Sequence, residues 1–341
     1  MRAAVLTSPR SLTVEDRPTP APGPEDVLIR VASCGVCGTD SHIYEGEFLV
    51  EFPVVPGHEL SGTVVEVGQD VTHVGVGDRV TVDPNIVCGI CRFCREGRVN
   101  LCQNLRAVGV NRDGGFAGYC VAPAKQVYLL PEGVSLEAGA FAEPLACCIH
   151  GMDRAALRPG EDVLIIGGGA IGQMMIQLCR SAGAGRILLS EPIARRREVG
   201  IASGASFVID PLAEDVVAAT RELTGGGADL VIECAGTART AEQAVAAARN
   251  GGRVLLFGVA PERATANLRP YEIFIRELTV MGSFVNPFTH RRAVEALAAG
   301  RVRTETLITH CYPVAQLADA LAMSRSRDAI KVAVQPADGE A

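Results

Sequence analysis

Hydrophobic and polar positions follow two different patterns along this chain. Up to about residue 140, short β-branched runs such as 26–31 and 63–67 are broken repeatedly by Pro and Gly, which predicts an all-β, barrel-like region. From about Glu143 the texture changes. Apolar runs of strand length at 163–166, 186–189 and 230–232 alternate with Ala-rich stretches of helical length. That alternation predicts βαβ units on a parallel sheet buried on both faces. Runs at 252–257 and 277–281 extend it, and an amphipathic helix is predicted near 291–299, after Asn286-Pro287. The tail beyond that point is expected to pack back on the N-terminal region, making the β-rich domain discontinuous. No internal repeat is present.

Composition narrows the classes of function. A chain of 341 residues exceeds one comfortable core and fits about two domains. With 48% hydrophobic and 21% charged residues it is ordinary globular protein rather than a disordered chain. The net charge of −7, with basic residues scattered, lacks the positive patch that a phosphate backbone requires, so nucleic acid is excluded as a partner. The N-terminus carries no long apolar signal region and no run of roughly 18 apolar residues occurs, so a cytoplasmic protein with no membrane partner is expected. In such a compartment twelve cysteines are not a disulfide framework. Most read as small buried hydrophobes, but some are clustered.

Cys88, Cys91, Cys94 and Cys102 follow C-x2-C-x2-C-x7-C in a loop-like stretch. Four thiolates that close in sequence can enclose one tetrahedral ion with no position left for water, the arrangement of a structural zinc. An iron–sulfur cluster is the competitor, but bacterial cluster runs space the last cysteine by three and follow it with proline; here Gln103 follows. A second set is dispersed: Cys37, the pair His58-Glu59, and Glu143. Thiolate, imidazole and carboxylate together suit a catalytic zinc that keeps room for substrate. Taken singly, His58 fits a hydrogen-bonded structural histidine equally, and Glu143 a helix N-terminal acid. Cys34 is read as a bystander and Cys147 as a less favoured ligand.

Gly167-Gly168-Gly169-Ala170-Ile171-Gly172 fits G-x-G-x-x-G directly after an apolar strand and at the opening of a helix. There the glycines, with Ala170 and Ile171, let backbone N–H groups approach a pyrophosphate. Glu191 ends the next strand, where a carboxylate accepts from ribose hydroxyls and favours NAD over NADP. The run Arg195 to Arg197 is either a solvated helix face or brings Arg196 along the adenine ribose. Gly225-Gly226-Gly227 precedes a strand and is read as a turn.

Together, Cys37-Gly38-Thr39-Asp40, Gly57-His58-Glu59, the four-cysteine lobe, Glu143-Pro144-Leu145 and the turn from Gly167 to Gly172 resemble the zinc-containing medium-chain dehydrogenases over nearly the whole chain. The resemblance implies an α/β architecture: a GroES-like catalytic domain (1–150 and 286–341) plus a Rossmann doubly wound parallel sheet (151–285), with an active-site cleft where they meet. Glu143, where typical alcohol dehydrogenases have cysteine, looks like the polyol, butanediol and threonine dehydrogenase branch. The resemblance assigns the catalytic zinc to Cys37 and His58, with Glu59 and Glu143 binding directly, through water or alternately. It assigns Thr39 and His42 to a proton relay; by themselves they fit a turn hydroxyl and a solvated histidine equally. The implied cofactors are two zinc ions and NAD, and the implied assembly is a homotetramer or homodimer. The segment 282–287 tips the substrate towards a polyol; L-threonine 3-dehydrogenase and other secondary alcohol dehydrogenases are the alternatives, and a catalytically silent relative is a third.

Overall fold

The computed structural model describes residues 1–47 and 50–336. In the first part of the chain β1 (Arg2–Ser8) and β2 (Ser11–Asp16) form an antiparallel pair, followed by β3 (Asp26–Gly35), α1 (Gly38–Glu45), β4 (Glu59–Val67), β5 (Arg79–Val82) and β6 (Asn85–Ile86). The short α2 (Arg92–Arg95) precedes β7 (Arg106–Ala107), β8 (Tyr119–Pro123), β9 (Val127–Leu129), α3 (Leu136–Gly139) and α4 (Ala142–Ala155). The second part alternates: β10 (Val163–Ile166), α5 (Ala170–Ser181), β11 (Ile187–Ser190), α6 (Ala194–Ser203), β12 (Phe207–Ile209), α7 (Val216–Thr224), β13 (Ala228–Glu233), α8 (Ala238–Ala247), β14 (Ala248–Leu256), α9 (Pro270–Ile275) and β15 (Thr279–Gly282). The chain closes with α10 (His290–Ala298), β16 (Ile308–Tyr312), α11 (Leu317–Ser324) and β17 (Lys331–Val334).

These elements fall into two units, Met1–Ala146 with the stretch that starts at Asn286, and Cys147–Val285. One passage between them lies inside α4. The first unit holds a seven-stranded sheet in the order β16-β17-β3-β4-β5-β9, with β8 also pairing β3. The tail enters this sheet directly: β17 runs antiparallel to β3, placing Ala333 opposite Gly35 and Val334 opposite Cys34. Alternation explains its core. Val27, Ile29 and Val31 of β3 pack with Leu60 and Val64 of β4, Val80 and Val82 of β5, and Val332 and Val334 of β17, around a fully buried Phe116. Removing that apolar surface from water is the main force holding the sheet together.

The second unit is a six-stranded, all-parallel sheet in the order β12-β11-β10-β13-β14-β15. Its central strands are buried along their whole length, Val163 to Ile166 and Ile187 to Ser190 among them, as a sheet covered on both faces requires. The strand β12 had no separate sequence signal, being three residues long. Gly225 is the left-handed C-cap of α7 and β13 starts at Ala228, so the triple glycine is a turn before a strand, as read from the sequence, and also ends a helix. Among the described residues no helix is long and apolar enough to cross a membrane.

Candidate metal and dinucleotide sites

Cys37, His58 and Glu59 converge although they come from different elements. Cys37 is the N-cap of α1, and His58-Glu59 open β4; their donor atoms all lie within 4.8 Å of one another. The α1 helix is stopped by Gly46 in the left-handed region at φ 79°, where glycine carries no steric penalty. Glu143, buried in the first turn of α4, lies outside this threesome.

Asp40 organises the cluster, a role sequence reasoning did not assign to it. Its Oδ2 accepts the Cys37 N–H at 2.8 Å and its Oδ1 lies 3.4 Å from His58 Nδ1. One buried carboxylate thus lies against both the Cys37 backbone and the His58 imidazole, the usual place of a residue behind a metal ligand. Burial opposes a charged imidazolium at His58, but the Asp40 carboxylate and the Cys37 sulfur more than offset it and hold its pKa well above the ordinary value. So electron-rich a pocket suits a cation.

Glu59 has a second partner, Lys331 of β17, whose ammonium forms a buried ion pair with Oε2. Burial alone would depress the lysine, yet Glu59, Cys37 and Asp40 raise its pKa. The pair has room because residue 35 is glycine: a Cβ there would stand 2.0 Å from Glu59 Oε2 and 2.8 Å from Lys331 Cε. An isolated lysine in an apolar run gives no signal of this kind in sequence.

Thr39 Oγ1 lies 3.7 Å from Cys37 Sγ. His42 faces outward, its Nδ1 2.6 Å from Glu47 Oε2. Cys34 is buried in β3 behind the cluster, and burial, with Asp40 and Glu59 nearby, pushes its thiol well up.

The four cysteines of the lobe come together in space. The sulfurs of Cys88, Cys91, Cys94 and Cys102 lie within 4.8 Å of one another, with Cys102 and Cys88 3.5 Å apart. Backbone N–H groups of Ile90 and Cys91 lower the Cys88 thiol to about 6, whereas desolvation and the neighbouring sulfurs of Cys91 and Cys102 push Cys94 up to about 12. Four cysteine sulfurs within 4.8 Å of one another are a donor set that a single zinc-like cation fits.

In the second unit Gly169 is the N-cap of α5, and Ala170 and Ile171 open the helix. Gly172 packs against the turn so closely that a Cβ would stand 1.9 Å from the Gly167 carbonyl oxygen. Glu191 is 3% exposed at the end of β11; its Oε2 accepts the Gly168 N–H at 2.6 Å and its Oε1 the Ile193 N–H at 2.9 Å. The carboxylate therefore fixes the glycine turn. Arg196 lies in α6, and its carbonyl accepts from Gln173 Nε2 at 3.0 Å, tying α6 to α5.

Residues 23–132 match the alcohol dehydrogenase GroES-like domain family, and residues 170–299 match the zinc-binding dehydrogenase family. D-arabinitol dehydrogenase 1 of Uromyces fabae is 35% identical over 98% of this chain and 97% of its own. L-threonine 3-dehydrogenase of Pyrococcus horikoshii is 37% identical over 86% of each. Among solved structures, a zinc-binding dehydrogenase of Sinorhizobium meliloti 1021 bound to NADP superposes with a TM-score of 0.95 at 43% identity, covering 98% of this chain and 99% of its own.

Proposed function

We propose that this chain, which belongs to the zinc-containing medium-chain dehydrogenases, oxidises a secondary hydroxyl of a polyol, sugar alcohol or vicinal diol with NAD. The observation that carries the reading is the meeting of Cys37, His58 and Glu59 beside the Thr39 hydroxyl. Relatives named for D-arabinitol and sorbitol support the polyol class.

The donor sets fit zinc at both places. Cys37, His58 and Glu59 would hold the catalytic ion, with Glu143, which lies outside that group, reaching it through water or in alternation with Glu59, and Cys88, Cys91, Cys94 and Cys102 would hold the structural one. When bound, zinc would supply Lewis acidity toward the substrate hydroxyl and the nicotinamide would serve as hydride acceptor. The chain's own residues carry the rest. Asp40 keeps His58 and Cys37 oriented, and Lys331 holds one oxygen of Glu59. Thr39 receives the hydroxyl proton, and His42, paired with Glu47, passes it to solvent. The turn from Gly167 to Gly172 would hold the pyrophosphate of the dinucleotide and Glu191 its adenosine ribose, with Arg196 alongside. A carboxylate at that place disfavours the 2′-phosphate of NADP.

The apolar side chains of Tyr271, Phe274 and Ile275, exposed on α9 next to the edge strand β15, support a homodimer or homotetramer. Twelve free thiols fit a cytoplasmic enzyme.

A second reading, L-threonine 3-dehydrogenase, is favoured by the 37% identity to the archaeal enzyme. The test is NADH formation with sorbitol, xylitol, arabinitol, 2,3-butanediol and L-threonine, with and without a zinc chelator. Chelator-sensitive turnover of a polyol or diol is expected. Turnover of threonine alone would transfer the assignment to the second reading.

A further inference from the structure

Glu233, the last residue of β13, is 2% exposed and is satisfied by backbone and hydroxyl donors rather than by a cation. Its Oε1 accepts the N–H groups of Ala235 at 2.7 Å and Gly236 at 2.8 Å and the Thr240 hydroxyl at 2.8 Å. Its carbonyl oxygen accepts the N–H groups of Phe257 and Gly258 at 2.9 and 2.8 Å. A single residue thus binds the turn after β13, the first turn of α8 and the turn after β14. The two turns are pressed together: a Cβ on Gly258 would stand 2.3 Å from Gly236 N and 2.9 Å from Glu233 Oε2. The same assembly borders the glycine turn, since a Cβ on Gly167 would stand 3.0 Å from Ala235 N.

The order β12-β11-β10-β13-β14-β15 reverses between β10 and β13, and a dinucleotide lies across the carboxyl ends of the strands at such a reversal. Glu191 marks the adenosine side, on β11. The turns that Glu233 holds therefore lie on the nicotinamide side. Unsatisfied N–H groups in the turn that leads into α8 would form a second anion-binding turn, but here the Glu233 carboxylate takes those of Ala235 and Gly236.

We propose that Glu233 is a positioning residue for the nicotinamide half of the cofactor, and that by consuming the donors of the second turn it leaves the pyrophosphate to the turn after β10. This rests on the dinucleotide reading above. The two halves of the cofactor separate the proposal from a general loss of structure.

The full-length protein is titrated with NADH, followed by nicotinamide fluorescence, and with AMP, which occupies only the adenosine side, followed by calorimetry. Glu233→Ala is expected to weaken NADH about tenfold or more while AMP changes by less than about twofold, the scale set by losing hydrogen bonds to a charged acceptor. Glu233→Gln keeps an acceptor at the position of Oε1 and should stay within about threefold of the unsubstituted protein for both ligands. If Glu233→Ala does not fold, Thr240→Val carries the test, with a smaller loss confined to NADH. Equal losses for NADH and AMP, or undiminished NADH binding, overturn the proposal. Failure of the unsubstituted protein to bind any nicotinamide dinucleotide would instead remove the cofactor reading, and this inference with it.

Discussion

Lys331 and Glu59 form an ion pair in the interior of the first unit, with side chains 8% and 1% exposed, across the space that Gly35 leaves empty. Two charges so far from water are tolerated only as partners. Removing one should therefore hurt more than removing both. Lys331→Met is expected to lower the unfolding free energy of chelator-treated protein by roughly 3–5 kcal/mol, and the double variant Lys331→Met with Glu59→Gln by clearly less. Urea unfolding checks this, and a double variant less stable than the single one would refute the pairing argument.

The two metal sites should separate on substitution. Cys94→Ser is expected to reduce bound zinc from about two ions per chain to about one and to lower the melting temperature, because a closed four-thiolate site contributes folding energy. Cys37→Ala should lose the other ion and abolish turnover while leaving the melting temperature nearer its original value. Zinc analysis together with thermal melting distinguishes them; equal stability losses would contradict the division into structural and catalytic ions.

On the proposed dinucleotide reading Glu191, whose carboxylate accepts the Gly168 and Ile193 N–H groups, sets the cofactor preference. Glu191→Ala should raise KM for NAD about tenfold and lower KM for NADP, since the repelling carboxylate and the ribose contact disappear together. Steady-state kinetics with both cofactors are sufficient. An unchanged ratio of the two KM values would show that some other residue reads the ribose.

His290 supplies a pH dependence independent of metal. It is fully buried against Tyr128, with ring centroids 4.8 Å apart, and burial lowers its pKa to about 3. The unfolded chain takes up a proton near the ordinary value of about 6.5 that the folded chain refuses, so this contribution is intact above that pH and is lost as pH falls toward 3. By pH 5 the loss from this group reaches about 2 kcal/mol. In His290→Gln the fall in melting temperature between pH 7 and 5 should be shallower; an identical slope would assign acid sensitivity elsewhere.

Much of the candidate site was legible before any coordinates. The lobe from Cys88 to Cys102 was readable because thiolates that close in sequence have few other uses in a loop, and the turn from Gly167 to Gly172 because strand, glycines and helix follow one another directly. Asp40 was visible within its motif but without a role, since nothing in sequence says that it stands between Cys37 and His58. Lys331 was not visible at all. Its significance depends on β17 lying beside β3, a pairing between the start and the end of the chain that leaves no local pattern.

The sequence by itself determined what is written in short-range order: a strand-rich stretch, though not the α1 helix within it, followed by alternating strands and helices, the four-sulfur lobe, and the glycine turn with an acid one strand later. Spacing and periodicity suffice there because the partners are neighbours along the chain. Tertiary structure alone decided the buried surroundings of the dispersed site, the Glu59–Lys331 pair beneath it, and the turns gathered by Glu233. Those depend on which residues a folded sheet brings into contact, and on burial, which turns an ordinary carboxylate or lysine into a group that must be paired.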